Sequence, residues 1–181
     1  MKLYGPLTRL FALVGLLAAA PLAAPMTAAP AFAAAADVAL LKSYIGNWRG
    51  RGQLIGAESE SVVCRLALTE GNADKVNYSG RCTLAGTSLS VSGTMAYIEA
   101  SRRYEAAMTS NVTFTGLAVG KKQGSNIVFN LREKNKDENG QELTVTAAIV
   151  LGKGGESIQV DFGVVFNATG ETLKASVPFS K

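Results

Sequence analysis

From Trp48 to the C-terminus, apolar side chains recur at every second position in short segments of the chain. This period-two alternation is typical of β-strands that bury one face and expose the other. About ten such segments are separated by turns rich in glycine and asparagine, with no interval that would hold a crossover helix. Strands joined by tight turns pair as antiparallel neighbours, so the pattern predicts an up-and-down antiparallel meander.

The two cysteines give an independent test of this pairing. Facing residues of a hairpin have a constant sum of residue numbers, and Cys64 and Cys82 are symmetric about the turn at residues 71–74. The same register places Leu68 opposite Tyr78 and keeps the apolar side chains on one face. Directly opposed strand residues are within reach of a disulfide, so we predict a Cys64–Cys82 bond. The alternative, a redox-active dithiol, lacks the usual Cys-x-x-Cys spacing.

An alternation this regular leaves one face of the sheet apolar over its whole width. A long one-sided sheet protects that face and removes its edges by curling until its first and last strands meet. Before the strands, Asp37 is a candidate N-cap for one or two helical turns that continue to Ile45. The predicted fold is all-β, a roughly ten-stranded closed barrel preceded by a short N-terminal helix.

The string G46-N-W48 stands where this barrel begins. In that position it resembles the G-x-W signature of the calycin superfamily, which includes lipocalins and fatty-acid-binding proteins. The resemblance implies that Trp48 packs across one end of an up-and-down barrel and closes it. It also implies that Gly46 permits the close approach that seats the tryptophan.

The longer string G46-N-W-R-G-R-G52 is similar to the start of the ten-stranded nitrobindin-type haem barrels. Those proteins hold haem through a histidine, and this chain has none, so that ligand does not carry over. Lipocalins place a late arginine against the tryptophan. Here the last arginine is Arg132, and the nearest substitute is Lys174, which the alternation directs outward.

The N-terminus has the features of a secretory signal. Lys2 and Arg9 form a basic region before an apolar run at residues 10–20, and A31-F-A33 suits signal peptidase, so cleavage is expected after Ala33. The alternative is an N-terminal membrane anchor. The expected organisation is a signal peptide at 1–33, a linker and short helix at 34–46, and the barrel at 47–181. We expect a periplasmic or secreted protein that does not insert in the membrane after cleavage.

Composition argues against several functions. Removing Lys2 and Arg9 with the signal lowers the formal charge from +4 to +2, which gives no reason to expect nucleic acid as a partner. Without histidine the chain lacks the commonest metal ligand and the usual general base. The acids fall mostly in turns or on the outward face. We therefore expect no catalytic residues, no metal and no cofactor, and we do not expect an enzyme.

The interior of a barrel of about ten strands is wide enough for a small ligand. Apolar walls with a few tyrosine hydroxyls suit a lipid-like or aromatic guest. The alternative is that these side chains fill a flattened barrel. The predicted ligand-binding residues are Tyr78, Met95, Tyr97, Tyr104, Met108, Phe129, Phe162 and Phe166, and Phe114 is a further candidate.

A second functional class is a secreted interaction module. Small secreted barrels can inhibit proteases by inserting an N-terminal segment, and the segment before Lys42 has the corresponding position. That hypothesis predicts activity through the N-terminal residues or the loops. The sequence identifies no particular protein partner.

Overall fold

The computed structural model describes residues 29–56, 59–84, 86–111, 115–137 and 139–181. The predicted signal peptide as far as residue 28 lies outside these ranges, as does Phe114. The elements are α1 Ala29–Lys42, β1 Gly46–Ile55, β2 Ser59–Glu70, β3 Val76–Leu84, β4 Thr87–Ile98, a 3-10 turn Glu99–Ser101, β5 Arg103–Ser110, β6 Thr115–Gln123, β7 Asn126–Lys136, β8 Glu142–Gly152, β9 Ser157–Phe166 and β10 Thr172–Ser180.

The ten strands form one closed antiparallel barrel in which every strand pairs with its neighbours in sequence. The ring closes where β1 pairs with β10, with Gly50 opposite Phe179 and Leu54 opposite Ala175. A Cβ on Gly50 would come within 2.8 Å of the Phe179 ring, so the missing side chain lets β10 pack tightly at the closure. The predicted all-β, ten-stranded up-and-down barrel is confirmed.

The predicted strand register is confirmed at the first two hairpins. Cys64 faces Cys82 and Leu68 faces Tyr78 between β2 and β3, and the cysteines are joined by a disulfide. Between β3 and β4, Cys82 faces Leu89. The side chain of Cys64 is buried inside the barrel. The alternation of apolar residues therefore fixed which face of each strand points inward.

The helix starts earlier than its predicted cap. Asp37 was expected to be the N-cap, but α1 begins at Ala29, so Asp37 lies within it. Alanine has the highest helix propensity, which explains why the alanine-rich segment before Asp37 is helical. The predicted cleavage point after Ala33 falls inside α1 and stays a prediction. No helix among the described residues combines the length and apolar composition needed to cross a membrane.

The end of α1 packs against one end of the barrel. Leu41 and the following Tyr44 are fully buried there. Outside them, the Lys42 ammonium contacts Asp74 at 2.8 Å and Glu70 at 3.1 Å, at the turn between β2 and β3. The helix thus makes the two ends of the barrel different, and we call the end that it covers the closed end.

The disulfide predicts a measurable contribution to stability. We expect the double variant Cys64→Ser/Cys82→Ser to lose about 3 kcal/mol of unfolding free energy, because the bond restricts the unfolded chain. Denaturant titration of the oxidised protein and the variant measures the difference. The double variant should also be insensitive to reductant, which serves as the control. Equal midpoints for the oxidised protein and the variant would contradict the expectation.

Candidate ligand-binding lumen and the polar cluster at its closed end

Trp48 lies at the closed end of the barrel. Its side chain is 1% exposed, and its indole Nε1 donates a hydrogen bond to the Tyr44 carbonyl at 2.9 Å. The Lys181 ammonium lies 4.8 Å from the centre of the indole ring, within the range of a cation–π contact. Gly46 has a φ of 146°, and a Cβ there would approach the Lys181 side chain to 3.3 Å.

Lys181 is a contact that sequence reasoning missed. Lys174 was the candidate substitute for the lipocalin arginine, and its side chain is exposed on the outward face as expected. Because β10 runs antiparallel to β1 with Ser180 opposite Arg49, the next residue of the chain reaches Trp48. The signal was available, since closing the predicted meander necessarily brings the last residues beside the first strand.

A polar cluster joins α1 to β5 and β6 at the closed end. The Asp37 Oδ1 atom accepts hydrogen bonds from the Lys122 ammonium at 2.8 Å and from the Tyr104 hydroxyl at 3.1 Å. The Asp37 side chain is 14% exposed and that of Lys122 is 45% exposed. From the sequence, most acids were predicted to lie in turns or on the outward face. The partial burial of Asp37 was not predicted, because it depends on how α1 packs on the barrel.

The cluster shifts the pKa values of its members. Burial acts to raise the pKa of Asp37, but the hydrogen bonds from Lys122 and Tyr104 outweigh it, and the pKa is lowered. Burial, followed by the charge of Asp37, raises the pKa of Tyr104. Burial and the hydrogen bond to Asp37 raise the pKa of Tyr97 as well. Near neutral pH the cluster therefore holds the Asp37 carboxylate and two neutral phenols.

Half of the predicted lumen residues belong to the closed end. Met95, Tyr104 and Phe129 are almost completely buried there. The rings of Tyr97 and Tyr104 lie 5.1 Å apart, and those of Tyr104 and Phe129 lie 6.3 Å apart. These four side chains form one packed group that makes the floor of the barrel interior.

The other four predicted residues line the barrel nearer its opposite end. Met108, Phe162 and Phe166 lie on the inward face and are partly exposed. Tyr78 is also partly exposed, and its ring lies across Gly93, where a Cβ would come within 2.8 Å of it. The Tyr78 hydroxyl donates to the Ala107 carbonyl at 2.9 Å, and burial raises its pKa. This hydroxyl, expected to orient a guest, already has a protein partner.

Partly exposed apolar side chains occupy the inward face of two opposite walls. β4 and β9 are five strands apart in the closed ring of ten and so face each other across it. The cross-strand pairs support this direction on β9, where Phe162 faces the buried Ala147 of β8 and Val160 faces the buried Val177 of β10. The partly exposed inward residues are Tyr78, Leu89, Val91 and Met108 on β3–β5, and Ile149, Val160, Phe162, Val164 and Ala175 on β8–β10.

Fold and site together define a closed ten-stranded antiparallel barrel with one end covered by a helix and a tryptophan. No protein-family model matches the chain, and no curated protein matches it in sequence. Among solved structures, Rv2717c from M. tuberculosis has a TM-score of 0.60 at 14% identity, covering 79% of this chain and 97% of that one. The S-type phycobiliprotein lyase CPES from Guillardia theta has a TM-score of 0.50 at 12% identity, covering 76% and 87%. At these identities the likeness shows the fold.

The second comparison corrects the expectation that the chain is not an enzyme. That expectation is wrong, because a protein with the same barrel fold is titled a lyase. It rested on the missing histidine and on acids that fall mostly in turns or on the outward face. The structure instead places the Asp37 carboxylate against Tyr104 and Lys122 at the closed end of the barrel. Neither the fold nor the residue types exclude enzymatic chemistry.

The alternative of an inhibitory N-terminal segment stays a prediction. From Asp37 onward this segment packs on the closed end through Leu41 and Tyr44, and its polar side chains bind the barrel. In the described ranges, no group of three or more acidic or cysteine side chains is arranged to hold a metal ion. The inward-facing apolar walls are therefore the principal candidate site.

The Asp37 cluster makes a testable contribution to stability. We expect Asp37→Asn to lower the unfolding free energy by about 1 kcal/mol at pH 7, because it removes a partly buried ion pair. The folded-state pKa of Asp37 is lowered, so its contribution is complete above the unfolded-state value of about 3.9. The contribution disappears as pH falls through the folded-state pKa. Denaturant titrations from pH 7 to pH 3 measure both effects.

Asp161→Asn is the matched control for this variant. Its carboxylate accepts hydrogen bonds from Ser176 and Gln159 on the outer wall and does not contact α1. Hydrogen exchange of the α1 amides should accelerate in Asp37→Asn and stay unchanged in Asp161→Asn. Unchanged exchange in both variants would show that the ion pair does not hold the helix.

Proposed function

We propose that this protein binds a small apolar molecule inside the barrel, between the walls formed by β3–β5 and β8–β10. The observation that carries the proposal is the partial exposure of apolar side chains on the inward faces of both walls. In a barrel filled by its own side chains, these positions would be buried like those at the closed end. A lipid-like or aromatic guest would cover them.

The arrangement of the two ends supports entry from the end opposite α1. The floor is sealed by Trp48, Tyr104 and Phe129, each about 1% exposed. The partly exposed Phe162 and Phe166 lie toward the other end, where β9 finishes. In the proposed complex, a guest enters past these two rings and stops against the packed floor.

The polar groups of the interior fit a guest that is held mainly by burial of apolar surface. Tyr78 and Tyr104 donate their hydroxyl protons to protein oxygens, so neither needs the guest as an acceptor. Of the eight residues predicted from sequence, Tyr78, Met108, Phe162 and Phe166 would form the wall of the site. Met95, Tyr97, Tyr104 and Phe129 would form its floor.

An exported location is part of the proposal. The disulfide between Cys64 and Cys82 supports it, because such bonds persist mainly in oxidising compartments. The sequence of the N-terminus supports it independently. Within the calycin-like barrels, the count of ten strands favours a wider type than the eight-stranded lipocalins.

A substitution that narrows the interior tests the proposal. Ala175 faces inward opposite Phe162, so Ala175→Trp would place an indole between the two walls. We expect this variant to bind a lipophilic fluorescent dye at least about 10-fold more weakly, because the indole occupies the volume of the guest. Titration of the dye, with near-ultraviolet circular dichroism to verify the fold, is the measurement.

Ala107→Trp is the control, since Ala107 points outward on β5 and is exposed. It adds the same side chain without entering the barrel and should keep the affinity of the unmodified protein. Two results would refute the binding proposal. One is a dye that does not bind the unmodified protein, and the other is equal binding by both variants.

A further inference from the structure

The outward face of the first three strands carries a row of arginines. Arg49 on β1 faces Arg65 on β2, and Arg65 faces Arg81 on β3. Arg51, two residues along β1, faces Val63 in the next row. Directly opposed residues of neighbouring strands are about 4.5 to 5.5 Å apart at Cα, so these side chains share one patch. We call the four exposed arginines the arginine patch.

The charge of the arginine patch is not balanced by neighbouring acids. The remaining outward positions of β1, β2 and β3 are uncharged. None of the ion pairs in the described part of the chain involves these four arginines. Like charges directly opposite each other destabilise a sheet. The barrel fold needs only small or apolar inward residues on these strands, so it does not explain three stacked arginines.

Exposed aliphatic side chains lie on the same face. Three large apolar side chains are exposed in the described ranges, and two of them, Ile55 at 61% and Val63 at 46%, belong to this surface. Val63 is directly opposite Arg51. Arg49, Arg51 and Arg65 border a groove of about 530 Å³ in which Val63 also takes part.

We propose that the arginine patch, with Val63 and Ile55, docks the protein on an anionic lipid bilayer. Such a surface offers phosphate groups to the guanidinium groups and an apolar layer to the aliphatic side chains. A free phosphate or a water-surrounded polyanion would pair with the arginines and leave Val63 and Ile55 exposed. The combination of charge and exposed aliphatic surface therefore favours a bilayer.

This inference goes beyond the binding of a guest and uses the outward face of β1–β3, of which only β3 also forms part of the proposed guest site. The side chains of β1 and β2 that point inward line the barrel, whereas those of the patch point outward. Docking can therefore be measured without any guest. A protein that does not bind the dye would not contradict the docking proposal, and a protein that does not dock would not contradict the interior binding site.

The first experiment uses the triple variant Arg49→Gln/Arg65→Gln/Arg81→Gln and sedimentation with vesicles. Vesicles of phosphatidylcholine with one-third phosphatidylglycerol supply the anionic surface, and pure phosphatidylcholine vesicles supply the neutral one. We expect the unmodified protein to bind the anionic vesicles only. The triple variant should bind them roughly 100-fold more weakly, because each basic residue contributes about a factor of five at such a surface.

The matched control removes the same charge from the opposite wall. Lys121, Arg132 and Lys134 are exposed on the outward face of β6 and β7, and β7 is five strands from β2 around the ring. The variant Lys121→Gln/Arg132→Gln/Lys134→Gln should keep most of the vesicle binding. Equal losses in the two triple variants would mean that net charge alone decides binding, which would overturn the proposal.

Two further variants distinguish a bilayer from other anions. Replacing Arg49, Arg65 and Arg81 by lysine should preserve vesicle binding, whereas a site that grips one phosphate through paired guanidinium bonds would lose it. Ile55→Ser/Val63→Ser should weaken binding to anionic vesicles several-fold and leave retention on a heparin column unchanged. Failure of the lysine variant to bind, or equal loss on vesicles and heparin, would overturn the bilayer as the partner.

Discussion

Closure of the sheet between β1 and β10 is the contact on which the other features depend. Until these two strands pair, the apolar face of the meander is open to water and both edges are free. The pairing requires β10 to approach β1 closely, which is possible because Gly50 and Gly52 leave room for Val177 and Phe179. It also brings Lys181 to Trp48, so the closed end is assembled from both ends of the barrel.

Closure forms the wall of the barrel, and α1 covers one of its two ends. Leu41 and Tyr44 fill the space above the first strand, and the Tyr44 carbonyl accepts the indole hydrogen bond of Trp48. Around this apolar contact, Lys42 binds one turn while Asp37 binds Tyr104 and Lys122. The apolar floor and the polar cluster position each other. A guest in the interior would therefore meet a rigid end on one side only.

The architecture was predictable because the alternation of apolar residues gives the inward face of each strand. Antiparallel pairing of successive strands then extends that face around the whole sheet. One turn and one cysteine pair set the register of β2 and β3, and each later hairpin carries the inward face to the next strand. The contact partners of individual side chains were harder to predict from the sequence. The role of Asp37 depends on how α1 lies on the barrel, and no periodicity in the sequence encodes that orientation. The contact between Lys181 and Trp48 needs no such orientation, because the pairing of β1 with β10 already brings the last residue beside Trp48.

For the interior, too, the sequence predicts the direction of a side chain but not what it packs against. Inward direction could be predicted for Tyr78 and Phe129 alike, because both obey the alternation. Their exposure could not, since it depends on what stands across the barrel. Phe129 lies over Gly120 and against Tyr104, whereas Tyr78 lies over Gly93 on a wall that stays partly exposed. The missing side chains of Gly93 and Gly120 thus leave room for an aromatic ring beside each of them.

The opening string of β1 shows how one strand serves two surfaces. Trp48, Gly50 and Gly52 point inward, where the indole closes the end and the glycines admit β10. Arg49 and Arg51 alternate with them and point outward. Because adjacent side chains of a strand occupy opposite faces, substitutions of the arginines alter the outer surface without entering the core. The inner and outer surfaces can therefore be changed separately by substitution, although their residues alternate along the same strand.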